Sequence, residues 1–405
     1  MKGYHRRLKK VSLDNQYLGE FMLKVMTIFG TRPEAIKMVP VIKAVERHSH
    51  LESVTVVTGQ HRGMLDQVLS IFEIVVDHDL DIMQVGQSLS DITTKVLVGL
   101  KPVIEQERPG IILVHGDTTT AFVSALAGFY AKVPIGHVEA GLRTYQRYSP
   151  FPEEMNRNLV SKISTLHFAP TTRAKSNLMK ENVAGTICVT GNTVVDTLYE
   201  ILDKITPAKE RDQGKLVLVT VHRRENHGEP LSRIFRALKT FAEEFPEFRI
   251  IYPVHPNPLV KSCAESMLGS ISNIELSAPL DYIDLVKTMS GAQFVVTDSG
   301  GIQEEAPALG KPVIVLRETT ERPEVIEAGA GRLVGSNPER ILEIMRNLVD
   351  YSSDTYKEMS SCRNLYGDGS AGEQIANAIF QEIVLSEESP FGNTLRDGSN
   401  RLEVS

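Results

Sequence analysis

A chain of 405 residues is longer than one hydrophobic core usually serves, so two domains are expected. Its 41% hydrophobic content excludes global disorder, and its net charge of −7 argues against a general nucleic-acid binder. Apolar runs fall short of the roughly 18–20 residues a bilayer span needs, and no long apolar segment comes after the basic N-terminus, so neither membrane anchor nor secretory signal is expected.

Residues 1–21 are polar and aperiodic and read as a flexible, dispensable extension, or as the product of a start placed too early, since Met22 stands just before the first strand. Apolar strand-like runs then alternate with amphipathic helical stretches. The expected strands are Leu23–Phe29, Val54–Thr58, Ile111–Val114, Ile135–Val138, Leu166–Phe168 and Ile187–Val189. The helices between them include Pro33–His48, Asp91–Glu107 and Thr119–Ala131. In the first helix Ile36, Val39, Ile42 and Val45 recur at three-residue spacing, and Pro33 suits the first helical position. After a polar stretch near Asp203–Lys215 the pattern restarts with Leu216–Val221, Arg249–Tyr252, Asn273–Leu276, Phe294–Thr297 and Val313–Leu316. Short strands apolar on both faces read as buried parallel strands, which predicts two doubly wound α/β domains in series. Residues 386–405 are rich in Ser, Gly, Asn and charge and read as a disordered tail. Cys188, Cys263 and Cys362 have neither metal-site nor redox spacing, which fits a reducing cytoplasm.

Doubly wound sheets bind ligands beyond the carboxyl ends of their strands, so the residues just past each strand carry the chemistry. Gly30-Thr31-Arg32-Pro33-Glu34-Ala35-Ile36-Lys37 lies after the first; Arg32 and Lys37 flank a helix start and suit a phosphate, or else are chance basic residues. His115-Gly116-Asp117-Thr118 lies after Ile111–Val114, where Asp117 is either a helix cap or a carboxylate aimed at the cleft. Glu139 comes directly after a buried strand, a costly position unless it pairs with Arg143 or acts in a site. Glu153 and Arg157 share a helical face, a spacing that an ordinary surface pair explains. His222-Arg223-Arg224 succeeds Leu216–Val221 as an anion site or proton donor, and His255 sits in a proline-stiffened loop as a cleft or a structural histidine. Thr297-Asp298-Ser299-Gly300-Gly301-Ile302-Gln303-Glu304-Glu305 joins a buried strand to a helix. Its free backbone N–H groups favour phosphate, and Glu305 could accept from a ribose diol. Arg322, just before Pro323, reads as a further phosphate contact or as part of a capping segment. No GxGxxG comes after a strand, and neither HExxH nor GxSxG occurs, so dinucleotide, metal and serine chemistry lack support.

Together the segments GTRPEAIK, HGDTTT, HVEAGLRT, PEEMNR, HRREN, YPVHPNP, TDSGGIQEEAPALGKPV and TTERPE resemble the non-hydrolysing UDP-N-acetylglucosamine 2-epimerases, in order, over about residues 23–380. The resemblance implies a GT-B architecture with the active site between two Rossmann-like domains, residues 22–195 and 196–371. A final helix, Gly372–Val384 within about 372–385, would cross back to the first domain. It implies interconversion of UDP-N-acetylglucosamine and UDP-N-acetylmannosamine through loss and return of UDP, with no cofactor and no metal, by a homodimer that binds neither nucleic acid nor membrane. By matching positions, Asp117, Glu139 and Glu153 resemble the catalytic carboxylates, His222 the catalytic histidine and Arg157 an active-site arginine. Arg32, Lys37, His255, Ser299, Gly300, Gly301, Glu305 and Arg322 resemble substrate-binding positions. Gln60, His61, Arg62, Glu154 and His255 resemble parts of a second, activating substrate site, although Gly63 and Gly86 stand where some members carry a polar residue and an arginine.

Overall fold

Thirteen short strands build two all-parallel sheets in a computed structural model of the chain, which describes residues 22–59, 62–84, 86–205 and 215–385. The first sheet contains β1 (Leu23–Phe29), β2 (Leu51–Val57), β3 (His78–Asp79), β4 (Ile111–His115), β5 (Ile135–Val138), β6 (Leu166–Ala169) and β7 (Thr186–Val189), in the order β3-β2-β1-β4-β5-β6-β7. The second contains β8 (Leu216–Thr220), β9 (Arg249–Pro253), β10 (Ile274–Ser277), β11 (Phe294–Thr297), β12 (Val313–Val315) and β13 (Gly331–Leu333), in the order β10-β9-β8-β11-β12-β13. In each, the order reverses direction beside the first strand, which opens a crevice at the carboxyl ends. Central strands such as β4, β5 and β11 are buried along their whole length, as helices on both faces require.

The expected strands all form, with small shifts. β2 begins at Leu51 rather than Val54, and β3 and β13 were not expected because two and three residues carry no alternation to read. The expected final helix is α-helical over Ala371–Ile379 and continues as a π-helical turn over Phe380–Val384. The extension expected at 1–21 and the tail expected at 386–405 lie outside the described residues.

Helix Thr193–Lys204 joins the two lobes. It packs on helix Arg32–Arg47 of the first lobe and on helices Tyr282–Gly291 and Ile302–Ala308 of the second. Pro40, inside helix Arg32–Arg47, has no N–H to give the Ile36 carbonyl, and Thr197 Oγ1 donates to that oxygen instead at 2.6 Å. The final helix lies across the same helix so closely that a β-carbon on Gly372 would stand 2.6 Å from the Pro40 oxygen. Asp196 Oδ1 accepts from Gly372 N at 2.8 Å and so caps that final helix from a neighbouring one. The lobes also clasp directly: Thr171 Oγ1 donates to Glu324 at 2.7 Å, and Arg173 pairs with Glu327 at 2.6 Å. Beside this clasp lies a cavity of about 570 Å³, lined in part by Arg143, Tyr145, Asn177 and Lys180. Among the described residues no helix is long and apolar enough to cross a membrane.

Candidate active site

The carboxyl ends of β1, β4 and β5 present one cluster of charged side chains. Gly30 after β1 has no room for a side chain, since a β-carbon there would collide with Thr58 Oγ1. Glu34 then closes the helix start, accepting from Thr31 N at 2.9 Å, from Gly30 N at 3.1 Å and from Thr118 Oγ1 at 2.7 Å. Arg32 stands half-buried at the first helical position, and its charge is felt by His222 and Glu305 of the second lobe. One turn on, the buried Lys37 ammonium pairs with Glu139 of its own lobe, and lies 3.0 Å from Glu304 Oε2 of the other.

Glu139 has a φ of 62°, a left-handed conformation that is uncommon for a residue with a side chain and typical of functional sites. Its carboxylate meets Lys37, accepts from Asn192 Nδ2 at 2.6 Å and lies 3.8 Å from His115 Nε2. Burial alone would raise its pKa, but Lys37, His115 and Arg322 outweigh burial and hold it well below the ordinary carboxylate range. Burial pulls the His115 imidazole down to about 4, so it is neutral near pH 7. The alternative partner read from the sequence is otherwise engaged: Arg143 pairs with Glu181 at 2.7 Å.

Asp117 is not the cap of the helix after β4. Thr118 holds that place, accepting from Ala121 N at 3.0 Å, and the Asp117 carboxylate faces Arg157 Nη2 at 2.5 Å. Arg157 also lies 3.7 Å from Glu154, and no ion pair joins it to Glu153 among the described residues, so the surface pair that the spacing allows is not made. Glu154 is buried and accepts from Thr144 N and Tyr145 N at 3.0 and 2.9 Å, pinning the loop after β5. Glu153 has a buried Oε2 with no hydrogen-bond partner among the described residues. Burial, with Asp117 adding to it, pushes its pKa upward. Two cis peptides, Ser149-Pro150 and Phe151-Pro152, lead into this helix.

On the facing lobe, Asp298 after β11 organises the loop after β8. It is fully buried and accepts from His222 N (3.0 Å), Arg223 N (2.9 Å) and Asn226 Nδ2 (2.9 Å), and its Oδ1 lies 3.2 Å from His222 Nδ1. His222 stacks on the exposed His255 ring at 6.1 Å between centroids, and His255 Nδ1 accepts from Asn257 N at 3.2 Å, so the ring both borders His222 and braces its own loop. Burial lowers the His222 pKa, helped by Arg223 and His255 and opposed by Asp298. Ser299 N donates to Thr297 Oγ1 at 2.9 Å, and Gly301 begins helix Ile302–Ala308. A β-carbon on Gly300 would stand 2.7 Å from Arg322 Nη1, so a side chain there would displace the guanidinium. Arg322 is buried and gripped by Glu304 and Glu321, each at 2.6 Å. Glu305 accepts from Tyr282 Oη at 2.7 Å.

The structure thus brings Lys37 and Glu139 into one ion-pair network with Arg322 of the second lobe, and Asp117 into another with Arg157 and Glu154. His222 and His255 form a third group, and Ser299, Gly300, Gly301 and Glu305 line the adjoining turn. Gln60 and His61 lie outside the described residues, and Arg62 opens helix Arg62–Ile71. Asn192, Asp298, Glu304 and Glu321 were missed as site residues. Asp298 and Glu304 sit inside the glycine-pair run, where a carboxylate straight after a buried strand was the available signal. Among the described residues no group of three or more His, Cys, Asp or Glu is arranged to hold a metal ion.

A family model described as UDP-N-acetylglucosamine 2-epimerase matches residues 43–380. A Campylobacter jejuni UDP-N-acetylglucosamine 2-epimerase is 49% identical over 375 residues, covering 88% of this chain and 97% of that protein. The crystal structure of the Neisseria meningitidis UDP-GlcNAc 2-epimerase bound to UDP-GlcNAc superposes with a TM-score of 0.84 at 47% identity, over 89% of this chain and 100% of that one. The glycotransferase of kitacinnamycin, at 11% identity, shares only the fold, with a TM-score of 0.61 over 89% of this chain and 99% of its own. The two sheets and their cleft are a GT-B arrangement.

Proposed function

The chain belongs to the UDP-N-acetylglucosamine 2-epimerase family, and from that premise we propose that it interconverts UDP-N-acetylglucosamine and UDP-N-acetylmannosamine by eliminating UDP and adding it back. Elimination removes the proton on carbon 2 and breaks the bond from carbon 1 to the UDP oxygen, leaving 2-acetamidoglucal and UDP. Re-addition forms that bond again and returns a proton to the opposite face of carbon 2. Atoms and charge balance with no hydride carrier.

The observation that carries this reading is a pair of carboxyl groups pushed in opposite directions. Glu139 is held ionised by Lys37, and Glu153 is pushed by burial toward its protonated form. Such a split gives the site one ionised carboxylate and one carboxyl group nearer its protonated form, and inversion at carbon 2 needs acid–base groups on opposite faces. Asp117, held by Arg157, adds to the upward push that burial gives Glu153 and keeps Arg157 oriented. UDP must leave yet stay bound, which calls for cations and backbone donors fixed in advance. Arg32, Ser299, Gly300, Gly301 and Arg322 supply them, Lys37 adds charge at the seam, and Glu305 is assigned to the ribose. His222, with Nδ1 turned to Asp298, has Nε2 left for the departing phosphate, and His255 backs it.

A homodimer is part of the proposal: Val98, Phe129, Tyr130 and Leu159 are exposed on three helices that pack side by side, Leu89–Glu107, Thr119–Tyr130 and Glu153–Ile163. Family membership supports a cytoplasmic enzyme whose product supplies N-acetylmannosamine units for cell-surface polysaccharide.

The test is incubation of the purified protein with UDP-N-acetylglucosamine in D₂O, with the sugar monitored by proton NMR. UDP-N-acetylmannosamine carrying deuterium at carbon 2 is expected. Stoichiometric free UDP would mean hydrolysis, and an unlabelled product would rule out proton exchange at carbon 2.

A further inference from the structure

We propose that Asn192 is a positioning residue that aims the Glu139 carboxylate, an inference that rests on the reading of Glu139 as a reacting group. Asn192 is 2% exposed and is the N-cap of helix Thr193–Lys204. Its Oδ1 accepts from Val194 N at 3.1 Å, and its Nδ2 lies 2.6 Å from Glu139 Oε2. The amide can sit only one way round. Turning it over would set its NH₂ against the Val194 N–H and its oxygen against a carboxylate. The cap therefore fixes the direction of the donor that Glu139 receives.

The backbone around Asn192 is fixed as well. Asn192 N donates to Tyr366 O at 2.6 Å, and a β-carbon on Gly191 would stand 3.0 Å from the α-carbon of Gly367. The segment entering the final helix thus clamps residues 191–192 against the end of β7. The other charged groups around Glu139 are Lys37 from helix Arg32–Arg47, His115 from β4, Glu304 from helix Ile302–Ala308 and Arg322. Lys37 is shared between Glu139 and Glu304, and an ammonium attracts a carboxylate without dictating which way its oxygens face. Asn192 supplies that direction. A carboxylate that takes a proton from one face of one carbon needs it.

Two variants isolate the effect. Asn192→Ser keeps a good N-cap but shortens the side chain so that no donor reaches Glu139. Asn192→Asp keeps the cap and sets a second carboxylate against Glu139. In Asn192→Ser, kcat for epimerisation is expected to fall about tenfold to a hundredfold, the worth of one charge-assisted hydrogen bond. KM should change by less than about threefold. Asn192→Asp should lower kcat further than Asn192→Ser, because it also sets a negative charge against Glu139. The inference is overturned if Asn192→Ser keeps the wild-type kcat, or if its loss lies in KM or in melting temperature alone. Failure of the wild-type protein to form UDP-N-acetylmannosamine would instead sink the reading of the site, and this inference with it.

Discussion

Replacing Lys37 by methionine removes one charge from the seam between the lobes while keeping the length and bulk of the side chain. The side chains of Lys37, Glu139 and Glu304 are 8%, 8% and 0% exposed, so the two carboxylates left behind are poorly screened. Stripping a partner from a buried pair costs about 3–5 kcal/mol. The lower figure applies here, because Glu139 keeps Asn192 and Glu304 keeps Arg322. An unfolding entropy of about 2.1 cal/mol/K per residue over 405 residues is about 0.85 kcal/mol/K, so a loss of about 3 kcal/mol lowers Tm by about 3–4 °C, and by more if the lobes melt separately. The effect should depend on pH. The folded pKa of Glu139 is depressed, so its contribution is present above the ordinary carboxylate pKa and lost as pH falls through the folded value. Lys37→Met should therefore be most destabilising near pH 8 and less so near about pH 4, where the carboxylates stranded in the variant take up protons while Glu139 of the wild type stays ionised and paired. Adding Glu304→Gln should recover part of the loss near pH 8, since it removes one of the two stranded charges. Thermal melts of the four proteins at both pH values decide the matter. A Lys37→Met melt within about 1 °C of wild type near pH 8 would refute the claim that the seam is an ion-pair network.

Asp196 has its pKa raised by burial to about 6 from 3.8. A raised acid contributes stability below its unfolded pKa and loses it as pH rises through about 6, here by at most about 3 kcal/mol and less for its partial exposure. Asp196→Asn keeps the cap on Gly372, so it should match wild type near about pH 4 and exceed it in urea midpoint near about pH 8; equal midpoints at both would contradict this. His222→Asn should lower kcat about 10²- to 10⁴-fold while UDP affinity by calorimetry changes less than about tenfold, and a wild-type rate would remove His222 from the chemistry. Gly300→Ala must displace an Arg322 already gripped by Glu304 and Glu321, so UDP binding should weaken about tenfold, and an unchanged Kd would show that Arg322 does not serve the phosphate.

Much of this architecture was legible because buried parallel strands announce themselves locally. Leu23–Phe29, Ile135–Val138 and Phe294–Thr297 form with the boundaries read from the chain, since each is a mainly apolar run whose carboxyl end meets glycine or charge. The residues at their carboxyl ends, Asp117, Glu139 and His222 among them, stood out because charge directly after such a run needs a reason. Partner identity was not legible. Asp298 binds a loop 72–76 residues away, Asn192 reaches Glu139 across 53, and Lys37 reaches Glu304 across 267, separations that no local pattern encodes. The same limit left a pairing of Glu139 with Arg143 open as an alternative, and Arg143 turns instead to Glu181 on the neighbouring helix end.

The line Glu139–Lys37–Glu304–Arg322 alternates in sign, and its middle contact, Lys37 to Glu304, is the one that crosses from lobe to lobe. If the molecule parts there, each half departs with a matched couple, Lys37 with Glu139 on one side and Arg322 with Glu304 on the other. Neither side of that line is stranded with an orphan charge, so the line itself adds little electrostatic resistance to opening the groove for a nucleotide sugar.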